Sequence, residues 1–142
     1  MGRKHQSERL DILIADDDPL TRLALRQLFE GEGYRCAEAE TGDEALQIAQ
    51  LSAPRLALLD VMMPEPDGFG VARRLHTDPR TRDVRVVFLT ALRDSHTIHA
   101  AQRAGCEMLL TKPVDFDGLL DALSVALYCP GSDEEKAERD PD

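Results

Sequence analysis

Residue types that could do chemistry directly follow four short apolar segments of the chain. They are Asp16 and Asp17 after the first segment, Asp60 after the second, Thr90 after the third and Lys112 after the fourth. Carboxylates held about 5 Å apart repel each other by roughly 3 kcal/mol at an effective dielectric of about 20. A cluster of three therefore needs positive charge, which Lys112 and a divalent cation can supply. Mg²⁺ suits such a site, because it binds to one or two carboxylates together with waters and phosphate oxygens.

This set of residues indicates phosphoryl transfer onto a carboxylate. One aspartate attacks phosphorus, a metal ion and a lysine neutralise the phosphoryl oxygens, and a hydroxyl donates a hydrogen bond to one of them. The run Asp16-Asp17-Asp18 taken alone also fits a solvated cluster of helix-capping acids. That alternative does not explain why Asp60 ends an apolar strand.

The surrounding pattern alternates apolar runs with helix-period stretches, which is typical of a parallel sheet wrapped by helices. We predict five strands and five helices, giving an α/β fold of five βα units. The strands are placed at about 10–15, 34–39, 56–60, 84–89 and 107–110, and the helices at about 19–31, 41–51, 67–76, 94–104 and 116–128. Because the carboxyl ends of parallel strands share one edge of a sheet, the polar residues should meet there.

The helices also carry predicted details. Asp18 is the expected cap of the first helix and Thr41-Gly42-Asp43-Glu44 the capping box of the second. The fourth helix offers little apolar surface, and its pair His96 and His99 is interpreted as part of a solvated face rather than as metal ligands. The predicted core-facing stripes are Leu20, Leu23, Ala24 and Leu28 in the first helix, and Phe116, Leu119, Leu120, Leu123 and Leu127 in the last.

Composition narrows the class of protein. The net charge of −10 disfavours direct binding to nucleic acid. No apolar run is long enough to span a membrane, and Met1–Arg9 resembles no signal segment, so we expect a cytoplasmic protein. Cys36, Cys106 and Cys129 are far apart and fit reduced thiols. We expect a disordered segment at 1–9, one domain at 10–129 and an acidic disordered tail at 130–142.

Four stretches of the chain resemble the receiver domains of response regulators, the chemotaxis-regulator-like proteins of two-component signalling. The stretches lie in the expected order from about residue 10 to 128: ILIADDDP from Ile12, LLDVMMPEPDG from Leu58, VFLTA from Val87 and TKP from Thr111. Each motif alone is weak, but four at the predicted strand ends make a specific signal. The resemblance implies a doubly wound (βα)₅ flavodoxin-like receiver fold with strand order 2-1-3-4-5.

The resemblance also implies a role for each site residue. It makes Asp60 the phosphoacceptor, with a sensor histidine kinase or histidine phosphotransfer protein as the donor and an unidentified downstream protein as the receiver of the signal. Such a domain is not an enzyme in the usual sense, and some receivers dimerise through helix four, strand five and helix five. The implied ligands of Mg²⁺ are Asp16 (through water), Asp17, Asp60 and the Met62 carbonyl, and the implied phosphoryl-binding groups are Thr90, the Ala91 amide and Lys112, with a cis bond to Pro113.

Two positions depart from the family's commoner pattern. Leu109 replaces a usual aromatic residue, which puts the aromatic switch of the family in doubt, and Pro66 replaces a usual apolar residue before Asp67-Gly68.

Two alternative functions stay open. A pseudo-receiver would keep the fold as an interaction module without phosphorylation. A phosphatase with an aspartate nucleophile would need a general acid two residues after it, where Met62 cannot transfer a proton.

Overall fold

The computed structural model describes residues 9–128, which form a five-stranded parallel sheet in the order β2-β1-β3-β4-β5. The α/β fold and the strand order predicted from the sequence are confirmed. The strands are β1 (Ile12–Ala15), β2 (Cys36–Ala39), β3 (Leu56–Asp60), β4 (Arg85–Thr90) and β5 (Met108–Thr111). The helices are α1 (Pro19–Gly31), α2 (Gly42–Ser52), α3 (Gly68–Thr77), α4 (Ser95–Arg103) and α5 (Phe116–Tyr128).

The pairing register brings the carboxyl ends of the strands to one edge of the sheet. Ala15 pairs with Leu59, Asp60 pairs with Leu89, and Thr90 pairs with Thr111. The residues that follow these pairs therefore share the same rim. This is the rim at which ligands of open parallel sheets bind.

Both faces of the sheet are covered by helices, so the central strands are buried on both sides. Leu13, Leu59 and Phe88 belong to one apolar cluster, and Ile14 and Leu58 belong to the other. Phe88 also meets the ring of Phe69 edge-on, with 4.9 Å between centroids. This burial on both faces explains why the buried parts of β1, β3 and β4 before the rim are continuously apolar rather than alternating.

Four helices begin at a polar cap. The carboxylates of Asp18, Asp67 and Asp94 and the hydroxyl of Thr41 each accept a hydrogen bond from a backbone N–H of the first turn. The return arm of the predicted capping box is shifted by one residue. The Glu44 carboxylate accepts from the N–H of Glu40 at 2.8 Å, not from that of Thr41.

The predicted apolar stripe of α1 was wrong at Leu20 and Leu23 and correct at Leu28. Leu20 is 74% exposed and Leu23 is 49% exposed, whereas Leu25 and Phe29 are fully buried. The helix is therefore rotated so that positions four residues apart around Leu25 and Phe29 face the sheet, with Leu28 packed beside them. In α5 the stripe is correct except at its start, where Phe116 is 44% exposed.

The fourth helix has few buried residues, as the sequence indicated. Thr97 and Ala101 are its buried side chains, while Ile98, His96 and His99 are exposed. Within residues 9–128, neither histidine belongs to a group of three or more side chains that could hold a metal ion.

The expected terminal segments fall almost wholly outside the described residues, and so does Cys129. Arg9 is described, and its Nε donates to the carbonyl of Ala53 at 3.1 Å. Cys36 and Cys106 are free thiols. None of the helices described between residues 9 and 128 combines the length and the apolar character needed to cross a bilayer.

Candidate functional site

Three carboxylates meet at the rim where β1 and β3 end. One oxygen from each of Asp16, Asp17 and Asp60 lies within 4.8 Å of the others. Asp16 and Asp60 are buried, at 1% and 4% exposure, whereas Asp17 is exposed. The cluster thus has two carboxylates fixed inside the protein and one at its mouth.

Lys112 supplies positive charge to this cluster from the end of β5. Its Nζ lies 2.9 Å from Oδ2 of Asp16 and 3.5 Å from Oδ2 of Asp60. Desolvation of the ammonium acts to lower the pKa of Lys112, but the hydrogen bond to Asp16 and the charges of both carboxylates outweigh it and raise that pKa. The lysine therefore stays charged, and the peptide bond to Pro113 is cis, as expected.

The environment of Asp60 opposes its ionisation. Burial raises the pKa of its carboxyl, because desolvation penalises the charged form, and the charge of Asp16 adds to the rise. The N–H of Met62, which donates to Oδ1 at 3.1 Å, and the charge of Lys112 act in the opposite direction. Additional positive charge at this site would therefore favour the ionised carboxylate.

Thr90 ends β4 with its side chain fully buried, next to the strand that carries Asp60. Its hydroxyl accepts a hydrogen bond from the N–H of Leu92 at 3.0 Å, and its carbonyl accepts from the N–H of Lys112 at 2.9 Å. Ala91 follows at the exposed start of the β4–α4 loop. The structure thus places Thr90 and Ala91 on the same rim as the carboxylates.

The loop after Asp60 is held by close contacts that require glycine. A Cβ on Gly68 would lie 2.6 Å from the carbonyl oxygen of Asp60, and a Cβ on Gly42 would overlap the carbonyl of Pro66. Pro66 is buried, and the Glu65–Pro66 peptide is cis, which no feature of the sequence predicts. The segment that carries Met62 is therefore packed against α2.

A cleft of about 610 Å³ opens beside the carboxylates. Its walls include Asp17, Met62, Leu92 and His96. Met62 is 58% exposed and Leu92 is 41% exposed, so both apolar side chains border the entrance. Ligands approaching Asp60 on this side meet two apolar groups.

One contact of the rim was missed from the sequence. The guanidinium of Arg22 donates to the carbonyl of Asp16 at 2.7 Å and to Oε1 of Glu38 at 3.0 Å. The available signal was the spacing, since Arg22 lies four residues after the cap Asp18 and hence one turn into α1. Because the predicted buried face of α1 was wrong, the predicted helix did not place Arg22 next to Asp16.

Comparison with known proteins agrees with this geometry. The sequence model of the response regulator receiver domain matches residues 12–124. Protein PilH of Pseudomonas aeruginosa is 33% identical over 117 residues, which cover 82% of this chain and 96% of PilH. The transcriptional regulatory protein PdtaR of Mycobacterium tuberculosis is 34% identical over 82% of this chain, but the match spans only 56% of PdtaR.

Solved structures show the same fold. The signal receiver domain of a signal transduction histidine kinase from Syntrophus aciditrophicus has a TM-score of 0.80 at 30% identity, covering 87% of this chain and 93% of that domain. A CheY-like response regulator receiver domain protein from Methanospirillum hungatei has a TM-score of 0.79 at 26% identity, covering 92% of this chain and 99% of that protein. The chain belongs to the response regulator receiver domain family, the signalling domains of two-component systems.

Proposed function

We propose that this receiver domain accepts a phosphoryl group on Asp60 in a Mg²⁺-dependent reaction and thereby changes how it binds a partner. One observation carries the proposal. A buried aspartate ends β3 within 4.8 Å of two further carboxylates, and the ammonium of Lys112 lies 3.5 Å from its Oδ2.

The carboxylates fit a hard divalent cation. Three acids and one lysine leave a formal charge of −2 on the rim, and oxygen donors are what Mg²⁺ prefers. Asp17 and Asp60 would hold the ion directly, the Met62 carbonyl would supply a third protein ligand, and Asp16 would act through water. Bound Mg²⁺ would neutralise negative charge on the carboxylates and on the incoming phosphoryl oxygens.

In the proposed reaction, an oxygen of the Asp60 carboxylate attacks the phosphorus of a phosphohistidine. The new P–O bond forms as the P–N bond to the imidazole breaks, and the imidazole leaves. Lys112, already beside Oδ2 of Asp60, would pair with a phosphoryl oxygen. The Thr90 hydroxyl and the Ala91 amide would donate hydrogen bonds to the other oxygens.

The donor proposed here is a sensor histidine kinase or a histidine phosphotransfer protein, and the output passes to a downstream protein. The surface of α4, β5 and α5 is a candidate for partner binding or dimerisation, since β5 is an edge strand and α4 exposes Ile98. We also propose residues 10–129 as the extent of the domain and the cytoplasm as its location.

The two alternative functions, a phosphatase and a pseudo-receiver, require different properties of the same site residues. A phosphatase of this type needs a proton donor where Met62 presents an exposed thioether. A pseudo-receiver would bind partners without becoming phosphorylated. The acids, Thr90 and Lys112 together favour the phosphorylated receiver.

The test is the intact mass of the protein after incubation with acetyl phosphate and Mg²⁺. We expect a gain of one phosphoryl group, lost in Asp60→Asn and lost when a chelator removes the metal. Asp83→Asn, an exposed acid before β4, is the matched control and should gain the group normally. The absence of any gain in the wild type would instead favour a pseudo-receiver.

A further inference from the structure

The hydrogen bonds around the acidic cluster fix Asp16 on every side. Its N–H donates to the carbonyl of Ala39 at 3.1 Å, its Oδ1 accepts from the N–H of Asp18 at 2.9 Å, and its Oδ2 accepts from Lys112 at 2.9 Å. The Asp16 carbonyl accepts from Nη1 of Arg22 at 2.7 Å. Asp16 is therefore a rigid reference point at the rim.

Asp17 lacks such restraints on its own side chain. The carboxylate is exposed, and the hydrogen bonds found among residues 9–128 do not include it. Its direction depends on the peptide plane that joins Asp16 to Asp17, because that plane is rigid. The carbonyl held by Arg22 lies in this plane, so the arginine restrains the peptide from which Asp17 projects.

Arg22 is itself held in place. Its side chain is 14% exposed, and its Nε donates to Oε1 of Glu38 at 3.0 Å. The other oxygen of Glu38 accepts from Nη1 of Arg26 at 3.3 Å. Glu38, on edge strand β2, thus orients the guanidinium of Arg22. It also balances the positive charge, so Arg22 restrains the Asp16–Asp17 peptide without placing an unpaired cation beside the carboxylate cluster.

We infer that Arg22 is a positioning residue for the metal site: through the Asp16 carbonyl it aims the Asp17 carboxylate at the cation. This inference rests on the proposed function, since it concerns the same Mg²⁺ site. It assigns to Arg22 and Glu38 a role in metal affinity rather than in stability alone. Groups that orient ligands in this way typically change metal affinity by about 10- to 100-fold.

The test measures the Kd of Mg²⁺ alone by titration calorimetry on the full chain. Arg22→Met keeps an apolar stem but removes every donor, and we expect its Kd to rise about tenfold. Arg26→Met is the matched control, because Arg26 lies one turn further along α1 and binds Glu38 without touching Asp16. Its Kd should stay close to that of the wild type.

A second measurement separates positioning from general loss of structure. Amide exchange in the metal-free protein should accelerate in Arg22→Met at Asp18, whose N–H donates to Oδ1 of Asp16, while the amides of the central strands keep their protection. Arg22→Lys, which retains one donor for the Asp16 carbonyl, should restore part of the affinity. If Arg22→Met does not fold, the Kd of Mg²⁺ is compared between Arg22→Lys and Arg26→Lys instead. We then expect the larger Kd for Arg22→Lys.

Equal Mg²⁺ affinities in the Arg22 and Arg26 variants would overturn the inference and leave the proposed function intact. A wild-type protein that binds no Mg²⁺ would overturn both. The two failures are therefore distinguishable.

Discussion

Replacing Asp60 by Asn should stabilise the metal-free protein. Lys112 attracts the Asp60 carboxylate over 3.5 Å, which is worth about 5 kcal/mol at an effective dielectric of about 20. Asp16 repels it over at most 4.8 Å, which costs at least about 3.5 kcal/mol on the same scale, and the exposed Asp17 adds to the repulsion. The repulsion thus offsets the attraction, so the desolvation of a carboxylate that is only 4% exposed stays largely uncompensated.

We therefore expect Asp60→Asn to raise the free energy of unfolding by about 1–3 kcal/mol at pH 7 in the presence of a chelator. Asn keeps the size of the side chain and can still accept from the Met62 N–H. Urea unfolding measures the difference. Asp83→Asn, whose carboxylate is exposed, should leave the stability close to that of the wild type.

The pH dependence has a definite sign. The pKa of Asp60 in the folded protein lies above its usual value of 3.8, so the folded state holds the proton more tightly than the unfolded state does. The wild type consequently loses stability as the pH rises from 3.8 through the raised pKa, and the loss is complete above it. The advantage of Asp60→Asn should thus be full above the raised pKa of Asp60 and shrink as the pH falls through it toward 3.8.

Mg²⁺ should reverse the ranking. A ligand at about 1,000 times its Kd stabilises the folded state by about 4.1 kcal/mol, which exceeds the gain expected for Asp60→Asn, and the variant lacks one of the carboxylates that bind the ion. An Asp60→Asn protein that is less stable than the wild type without metal would refute this reasoning. It would mean that the attraction to Lys112 exceeds the cost of burial.

Two further predictions concern the phosphorylated form. It should be comparatively long-lived, because Met62 and Leu92 border the entrance to the site with apolar side chains. Met62→Asn or Leu92→Glu should speed loss of the phosphoryl group severalfold. An unchanged rate of dephosphorylation in both variants would show that these side chains do not control hydrolysis. The signal should pass through residues 91–95 and α4, because Leu109 has neither a ring nor a hydroxyl to present. When beryllofluoride is added as a phosphoryl mimic, amide exchange should change mainly in residues 90–105, and the same change should occur in Leu109→Ala. If Leu109→Ala is still phosphorylated but loses this change, Leu109 is the switch.

The sequence was sufficient where the chain's own periodicity decides the structure. Apolar runs ending in Asp60 and Thr90 placed these residues on one rim, because parallel strands share their carboxyl ends. The caps Asp18 and Thr41 were also predicted correctly, since a cap depends on residues within one turn.

The rotation of α1 could not be read in the same way. Its apolar residues are spread around the helix, so the sequence alone does not show which of them face the sheet. Packing against the sheet buries Leu25 and Phe29 and leaves Leu20 and Leu23 exposed. The contact from Arg22 to the Asp16 carbonyl depends on that rotation. Likewise, the fit of Pro66 against Gly42 joins the loop after β3 to the start of α2, and no local sequence pattern predicts it.

Asp60 is the residue that we propose takes the phosphoryl group. After incubation with acetyl phosphate and Mg²⁺, reduction with borohydride converts an aspartyl phosphate to homoserine, which peptide mass spectrometry locates by residue. We predict homoserine at position 60 and its absence when a chelator replaces Mg²⁺. Homoserine at Asp16 or Asp17 instead, or at position 60 regardless of metal, would contradict the account.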